Sequence, residues 1–297
     1  MKYIFFGTPE FAAIVLEKLI VGGFIPTAVV CNPDRPVGRK KIITAPAVKQ
    51  LIREKRREES VQIFQPEDLS SLASRLSPLH PDLFIVASYA KIIPSDILNI
   101  PRLGAIGVHP SLLPKYRGAS PIQSAILNGE NESGVTLYRM DEKMDHGPIL
   151  ASAKRKEERG KSNYAELQKE LAALGGDLLV ETLPKFIAGK ITPREQDHTQ
   201  ATFTKKFTTE DGFVAEHDLL CALRGEGTFA TAIERKIRAL NPEPGAWTRV
   251  REERGKRKEE KRVKLLRAHI VDGALVLDEV QIEGKNPSNS IPTELGK

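Results

Sequence analysis

Cysteine is scarce in this chain. Only Cys31 and Cys221 occur in 297 residues, far apart and in no paired pattern. That speaks against a disulfide framework and favours a reducing cytoplasm. His, Cys and carboxylates show no ligand spacing, so no metal is implied. No apolar run approaches the roughly 20 residues of a membrane helix, and no membrane partner is expected. The opening MKYIFFGTPEF is not expected to be a signal peptide. Its apolar run is short, leads into Gly7-Thr8-Pro9, and lacks a small-residue cleavage site. The GxGxxG fingerprint is missing where the first strand meets the first helix. GTPEF stands there instead, which supports a dinucleotide site poorly. Internal repeats are absent as well.

What is present fits a globular protein of one large domain or two: 40% hydrophobic and 28% charged residues. A net charge of +6 permits a polyanionic partner without requiring one. Tyr3 to Phe6, a Gly-Thr-Pro turn and the helically spaced Ala12 to Leu19 read as strand, turn and helix. FIPTAVVCN is a second strand ending near Asn32. A helix over 47–57 and a short strand in VQIFQP (61–66) follow. DLFIVASY (82–89) and GAIGVHP are apolar runs with the look of strands covered on both faces. SPIQSAILNG (120–129) reads as a helix stopped by Gly129, and GVTLYRMD (134–141) as an alternating strand. Tyr164 to Phe186 reads as a long helix that tolerates Gly175-Gly176 at some cost. Strands alternating with helices predict an α/β fold, a mostly parallel sheet with helices on both faces. Ligands of such sheets sit at the C-terminal strand ends, which puts Gly7–Pro9, Ser88–Tyr89 and His109–Pro114 on one rim.

The pattern changes near residue 190. Residues 1–190 are expected to form the first domain, 191–207 a polar linker, and 208–297 a small β-rich domain. Ala222 to Leu240 is expected to be helical in part, and NPEPGAWT turn-rich. RVKLLRAHIV and GALVLDEVQI are expected to form a hairpin turning at Asp272-Gly273.

Three segments carry candidate chemistry. CNPDRPVGRKKIITAPAVK (31–49) is long and polar, with Arg35, Arg39, Lys40 and Lys41 inside seven residues. A solvated loop is the plain reading; a phosphate-binding loop is the functional one. His109 ends a strand on the ligand rim, and Leu112, Leu113, Tyr116 and Arg117 after it suit a flat heteroaromatic ligand. Asp145 and His146 follow GVTLYRMD by a short turn, so Asp145 can return to that rim as an acid/base partner of the histidine. Turn formation is the competing role for Asp145, and a solvent-facing turn position for His146.

FFGTPEFA, NPDRPVGR, VASYAKIIP, HPSLLPKYRGASPI, GVTLYRMDEKMDHGPIL and RALNPEPGAW occur in that order. Together they resemble the methionyl-tRNA formyltransferase family over residues 1 to about 250. The resemblance implies a Rossmann-like first domain and a smaller C-terminal OB-like β-barrel that grips tRNA. It implies transfer of a formyl group from 10-formyltetrahydrofolate, a co-substrate, to the methionine amine of initiator tRNA for translation initiation. His109 matches the family histidine, a donor to the developing oxyanion. Asp145 matches the family aspartate, which orients the histidine and helps remove the amine proton. Ser111, Leu112, Leu113 and Pro114 match the folate-binding segment, and Val86, Ala87 and Tyr89 should border the pterin. The loop of Arg35, Arg39, Lys40 and Lys41 should reach the acceptor-stem end. A second basic run, 249–267, holds ten Lys or Arg and four Glu, and Arg257 and Lys258 are expected on tRNA phosphates. A monomer is expected.

One position departs from the family. Its members carry Asn-x-His, whereas this chain has Gly107-Val108-His109. Losing one oxyanion donor typically costs about 100- to 1,000-fold in rate. Three readings stand: another donor or an ordered water fills the gap; the chain binds tRNA and folate with weakened catalysis; or position 107 is an introduced change. Rival functions are a sugar-nucleotide N-formyltransferase, which gives no reason for the basic loop and RALNPEPGAW, and a formyltetrahydrofolate hydrolase, which the tRNA-facing parts oppose.

Overall fold

Four apolar residues ahead of a Gly-Thr-Pro turn make β1 (Tyr3–Phe6), and all four are buried. The computed structural model describes residues 1–38, 40–55, 57, 59–156, 162–254 and 257–289, and of 251–254 and 257–259 the backbone alone. After β1 come α1 (Glu10–Val21), β2 (Ala28–Val30), β3 (Arg35–Val37), β4 (Ile42–Thr44), α2 (Ala47–Glu54), β5 (Gln62–Phe64) and α3 (Leu72–Leu76). Next are β6 (Leu83–Ala87), α4 (Ser95–Leu98), β7 (Ala105–His109), β8 (Arg117–Gly118), α5 (Pro121–Asn128), β9 (Glu132–Arg139), β10 (Ile149–Lys156) and α6 (Tyr164–Ile187). The chain continues with β11 (Phe203–Thr204), α7 (Glu216–Leu223), α8 (Phe229–Leu240), β12 (Ala246–Arg254), β13 (Arg257–Val271) and β14 (Ala274–Ile282).

The main sheet has seven strands in the order β10-β9-β7-β6-β1-β2-β5. From β5 to β7 all pairings are parallel, and β9 and β10 are antiparallel. The parallel strands are buried from end to end in β1, β2, β6 and β7, because helices cover both faces. On one face Phe6, Val30, Phe84 and Val86 pack with Leu72, Leu76 and Ile97. Gly7 lets α1 start directly after β1: a Cβ there would lie 2.5 Å from the Cβ of Ala12. The two glycines inside α6 also have a packing reason. A Cβ on Gly175 would touch Val108 of β7 at 3.0 Å and Val135 of β9 at 3.2 Å, and one on Gly176 would meet the Cβ of Lys18 at 2.5 Å.

Chain contacts divide the protein into two units. The first holds Met1–Gly118, Glu132–Lys156 and Gln168–Phe203, and the second Ala119–Asn131, Glu157–Leu167 and Thr204–Lys297, as far as these segments are described. The second is built on the antiparallel sheet β12-β13-β14, OB-like in character. Its core joins Leu219 and Ala222 of α7 and Ile233 and Ile237 of α8 to Val250, Val263, Leu265 and Leu277. Register shifts at Leu265, Arg267 and Ala268 mark bulges in β13, which bend and twist a strand. The expected hairpin is present: Asp272 and Gly273 turn with φ of 48° and 85° between paired Val271 and Ala274.

Several sequence expectations need correction. α2 stops at Glu54, short of Arg57. The segment 31–49 is not a plain loop, since β3 and β4 pair as a hairpin within it. β10, β12, α3 and α4 were not anticipated. Within residues 191–207, expected as a linker, the part up to Phe203 falls in the first unit. Arg194 exchanges both backbone hydrogen bonds with Ile149, and Gln196 is buried.

Candidate active site

β7 delivers His109 to the C-terminal edge of the sheet, where its side chain is 7% exposed. Its Nε2 lies 2.8 Å from the carbonyl oxygen of Tyr116. A carbonyl only accepts, so Nε2 carries a hydrogen. The other nitrogen, Nδ1, faces Oδ2 of Asp145 at 3.6 Å. In the neutral ring that nitrogen has only a lone pair to offer a carboxylate. In the imidazolium it would be a second donor facing that oxygen.

Asp145 is held from several sides. Oδ2 accepts from the backbone N–H of Gly118 at 2.7 Å, and Oδ1 accepts from the Tyr138 hydroxyl at 2.7 Å. Its own carbonyl accepts from Nε2 of Gln196 at 3.0 Å, and the same amide reaches the carbonyl of Gly147 at 2.7 Å. The backbone of Asp145 sits at φ 51°, a left-handed conformation that costs a non-glycine residue about 1–3 kcal/mol. These bonds hold it there. Oε1 of Gln196 in turn accepts from Nη2 of the buried Arg117 at 2.6 Å. Gln196 was missed by sequence reasoning, because nothing in a polar stretch marks one amide as buried.

Beyond His109 the chain is pinned to β9. Thr136 donates its hydroxyl to the carbonyl of Ser111 at 2.7 Å and accepts from the N–H of Leu113 at 3.1 Å. Ser111 is buried and donates to the carbonyl of Lys115 at 2.6 Å. Leu113 packs with Tyr138 and Ile149, and Leu112 lies over Gly134, where a Cβ would meet it at 2.5 Å. Ser111 to Pro114 therefore form a fixed wall beside the His109–Asp145 pair.

Val86 and Ala87 close β6, next to β7, and their side chains are buried. Tyr89 packs its ring on Phe6, with centroids 5.5 Å apart. Its hydroxyl is buried with no hydrogen-bond partner, as is Oδ1 of Asn32. Burial, with the Cys31 thiol nearby, pushes the Tyr89 phenol up to about 12, so it stays a neutral donor. His146 turns to Asp141, with Nδ1 2.7 Å from Oδ2, and stacks flat on His198 at 4.1 Å.

Arg35, Lys40 and Lys41 lie on the exposed β3–β4 hairpin. Asp34 at its base is anchored by Nζ of Lys49 at 2.8 Å and by Gln65 at 2.7 Å, and those bonds hold its carboxyl below the usual carboxylate range. Arg39 lies outside the described residues. Arg257 and Lys258 fall at the start of β13, opposite Arg254 and Glu253, and their side chains lie outside what the structure describes. Among the described residues no group of three His, Cys, Asp or Glu could hold a metal ion, and no helix is long and apolar enough to cross a membrane.

Comparison with known proteins converges on one family. Residues 1–183 match the formyl transferase family, and residues 228–274 match the formyl transferase C-terminal domain. The methionyl-tRNA formyltransferase of Kosmotoga olearia is 43% identical over 93% of this chain and 82% of its own length. That of Enterococcus faecalis is 41% identical over 83% of this chain and 75% of its own. Among solved structures, the methionyl-tRNA formyltransferase of Clostridium thermocellum superposes with a TM-score of 0.58 at 17% identity, covering 95% of this chain and 98% of its own. An N-formyltransferase of Helicobacter canadensis, solved with folinic acid and dTDP-3-aminofucose, gives 0.62 at 17% identity, covering 92% and 88%. These two likenesses speak to the fold, and the sequence relatives speak to descent: the chain belongs to the methionyl-tRNA formyltransferase family.

Proposed function

We propose that this protein transfers a formyl group from 10-formyltetrahydrofolate to the α-amine of methionine on initiator tRNA. The observation that carries the reading is the pairing of His109 with Asp145 beside the wall of Ser111–Pro114, at the C-terminal edge of the parallel sheet. A folate fits the residues present. The buried, unpartnered hydroxyl of Tyr89 suits a heterocycle edge that carries polar atoms, and the half-buried Leu112 offers apolar contact with Leu113 packed beside it. Val86 and Ala87 are buried, so they would meet the pterin mainly through backbone groups.

The bound folate supplies an activated formyl carbon. The methionine nitrogen adds to that carbon to give a tetrahedral oxyanion, which collapses as the carbon's bond to the folate nitrogen breaks, and the amine's proton passes to base and then to the leaving nitrogen. His109 donates Nε2–H to the oxygen that becomes negative. In the free protein the Tyr116 carbonyl takes that hydrogen, so the substrate oxygen must displace it. Asp145 stabilises the imidazolium from the Nδ1 side and draws the amine proton toward the site. Arg35, Lys40 and Lys41 on the exposed hairpin, with Arg39, Arg257 and Lys258, meet tRNA phosphates, where they add affinity rather than sequence choice. The protein works as a monomer in the cytoplasm.

The test is formyl transfer from 10-formyltetrahydrofolate to methionyl initiator tRNA, run beside a nucleotide-linked amino sugar as acceptor. Transfer to tRNA alone is expected. Transfer to the amino sugar alone would replace the reading with a sugar N-formyltransferase, and tight tRNA binding without transfer would replace it with a binding protein.

A further inference from the structure

The position that departs from the family is not an empty space. Gly107 of β7 pairs directly with Tyr138 of β9, and the phenol ring lies over the glycine. A Cβ built on Gly107 would stand 2.3 Å from Cε1, 2.5 Å from Cζ and 2.7 Å from the hydroxyl oxygen of Tyr138. No side chain at 107 can share that volume with the ring. The ring is buried, and its hydroxyl ends on Oδ1 of Asp145. Burial first, then the Asp145 carboxylate, raise the phenol well above its ordinary value, so it remains a protonated donor throughout the working pH range.

We infer that Tyr138 is a positioning residue that replaces the missing amide. It fills the space an asparagine at 107 would take, and it fixes the carboxylate of Asp145 toward His109. The inference rests on the formyltransferase reading above. With the N–H of Gly118 on Oδ2 and the phenol on Oδ1, neither carboxylate oxygen is left to swing away from the imidazole. The family's second donor is thereby traded for a more rigid acid/base pair. The exchange requires that Gly107 and Tyr138 act as a unit: a side chain at 107 is compatible only with a smaller or displaced side chain at 138.

The experiment is a set of four variants assayed by steady-state formyl transfer to methionyl initiator tRNA, with thermal unfolding in parallel. Tyr138→Phe keeps the ring and removes the donor. A hydrogen bond to a charged group is worth enough that kcat should fall about tenfold or more, with Tm and both KM values nearly unchanged. Gly107→Asn alone should lower both Tm and kcat, because the amide must evict the ring. Tyr138→Ala alone should lower both through a cavity. The double variant Gly107→Asn/Tyr138→Ala should exceed both of its parents in kcat, a reversal of sign that a merely structural tyrosine would not produce. Equal kcat for Tyr138→Phe and the natural chain would overturn the positioning role. A Gly107→Asn variant that is fully stable and faster than the natural chain would overturn the exchange. Failure of the underlying reading appears elsewhere, as absence of transfer by the natural chain itself, and would overturn the inference with it.

Discussion

At the scale of single residues, the site depends on polar groups that have one geometry available. Gln196 shows this best. Its amide nitrogen serves two carbonyls, those of Asp145 and Gly147, and its oxygen accepts from Arg117. Leucine has a similar volume and none of these bonds. Gln196→Leu takes this donor from the carbonyls of Asp145 and Gly147 and one acceptor from Arg117, at about 1–3 kcal/mol for each group left unsatisfied. Part of that cost relaxes through water, so a loss of about 3 kcal/mol is expected in urea unfolding, with kcat falling as Asp145 leaves its left-handed conformation. Unchanged stability would mean that Gln196 is not the clamp described. His109 and Asp145 were legible because each ends or follows a strand on a rim the topology predicts. Tyr138 was not. In GVTLYRMD it is one more member of an alternating strand, and its meaning depends on facing Gly107, which only the register of β9 against β7 decides.

At the scale of elements, hydrophobic pattern located the buried parallel strands and both hairpin strands at 272–273. It did worse where an element is short or polar on its outer side. β10 is buried only at its first two positions and then alternates half-buried with exposed residues, and β3 and β4 are three residues each, almost wholly exposed. The long helix α6 shows a conflict that packing decides. Gly176 costs about 1 kcal/mol in helix propensity relative to alanine. An added methyl would stand 2.5 Å from the Cβ of Lys18, and overpacking against a fixed backbone costs about 1–3 kcal/mol. Gly176→Ala is therefore expected to destabilise despite better propensity, by about 1 kcal/mol in chemical denaturation. A stabilised variant would show that α1 and α6 can move apart freely.

At the scale of the whole molecule, a surplus of six positive charges gains significance once tRNA is the partner. Every phosphate that a cation no longer neutralises takes about one unit off the slope of log K against log salt. Charge reversal of Arg257 and Lys258 together should weaken tRNA binding and flatten that slope by about two, read by titration at several salt concentrations. An unchanged slope would remove the start of β13 from the tRNA surface. The motif order had already pointed to both the folate and the tRNA. What remained illegible was the path of the chain through its two units.

That path has a consequence for how such a protein can be divided. The segment after the loop that follows His109, Ala119–Asn131, belongs to the second unit, where α5 packs on α8, and the chain then returns to the main sheet as β9. It leaves again after Lys156 and comes back at Gln168. A single cut near residue 204 would strand α5 without the helix it lies on, and the loop carrying His109 would lose its far anchorage. The two units are thus stitched together rather than joined end to end. Severing one peptide bond near residue 204 therefore does not part them along their boundary.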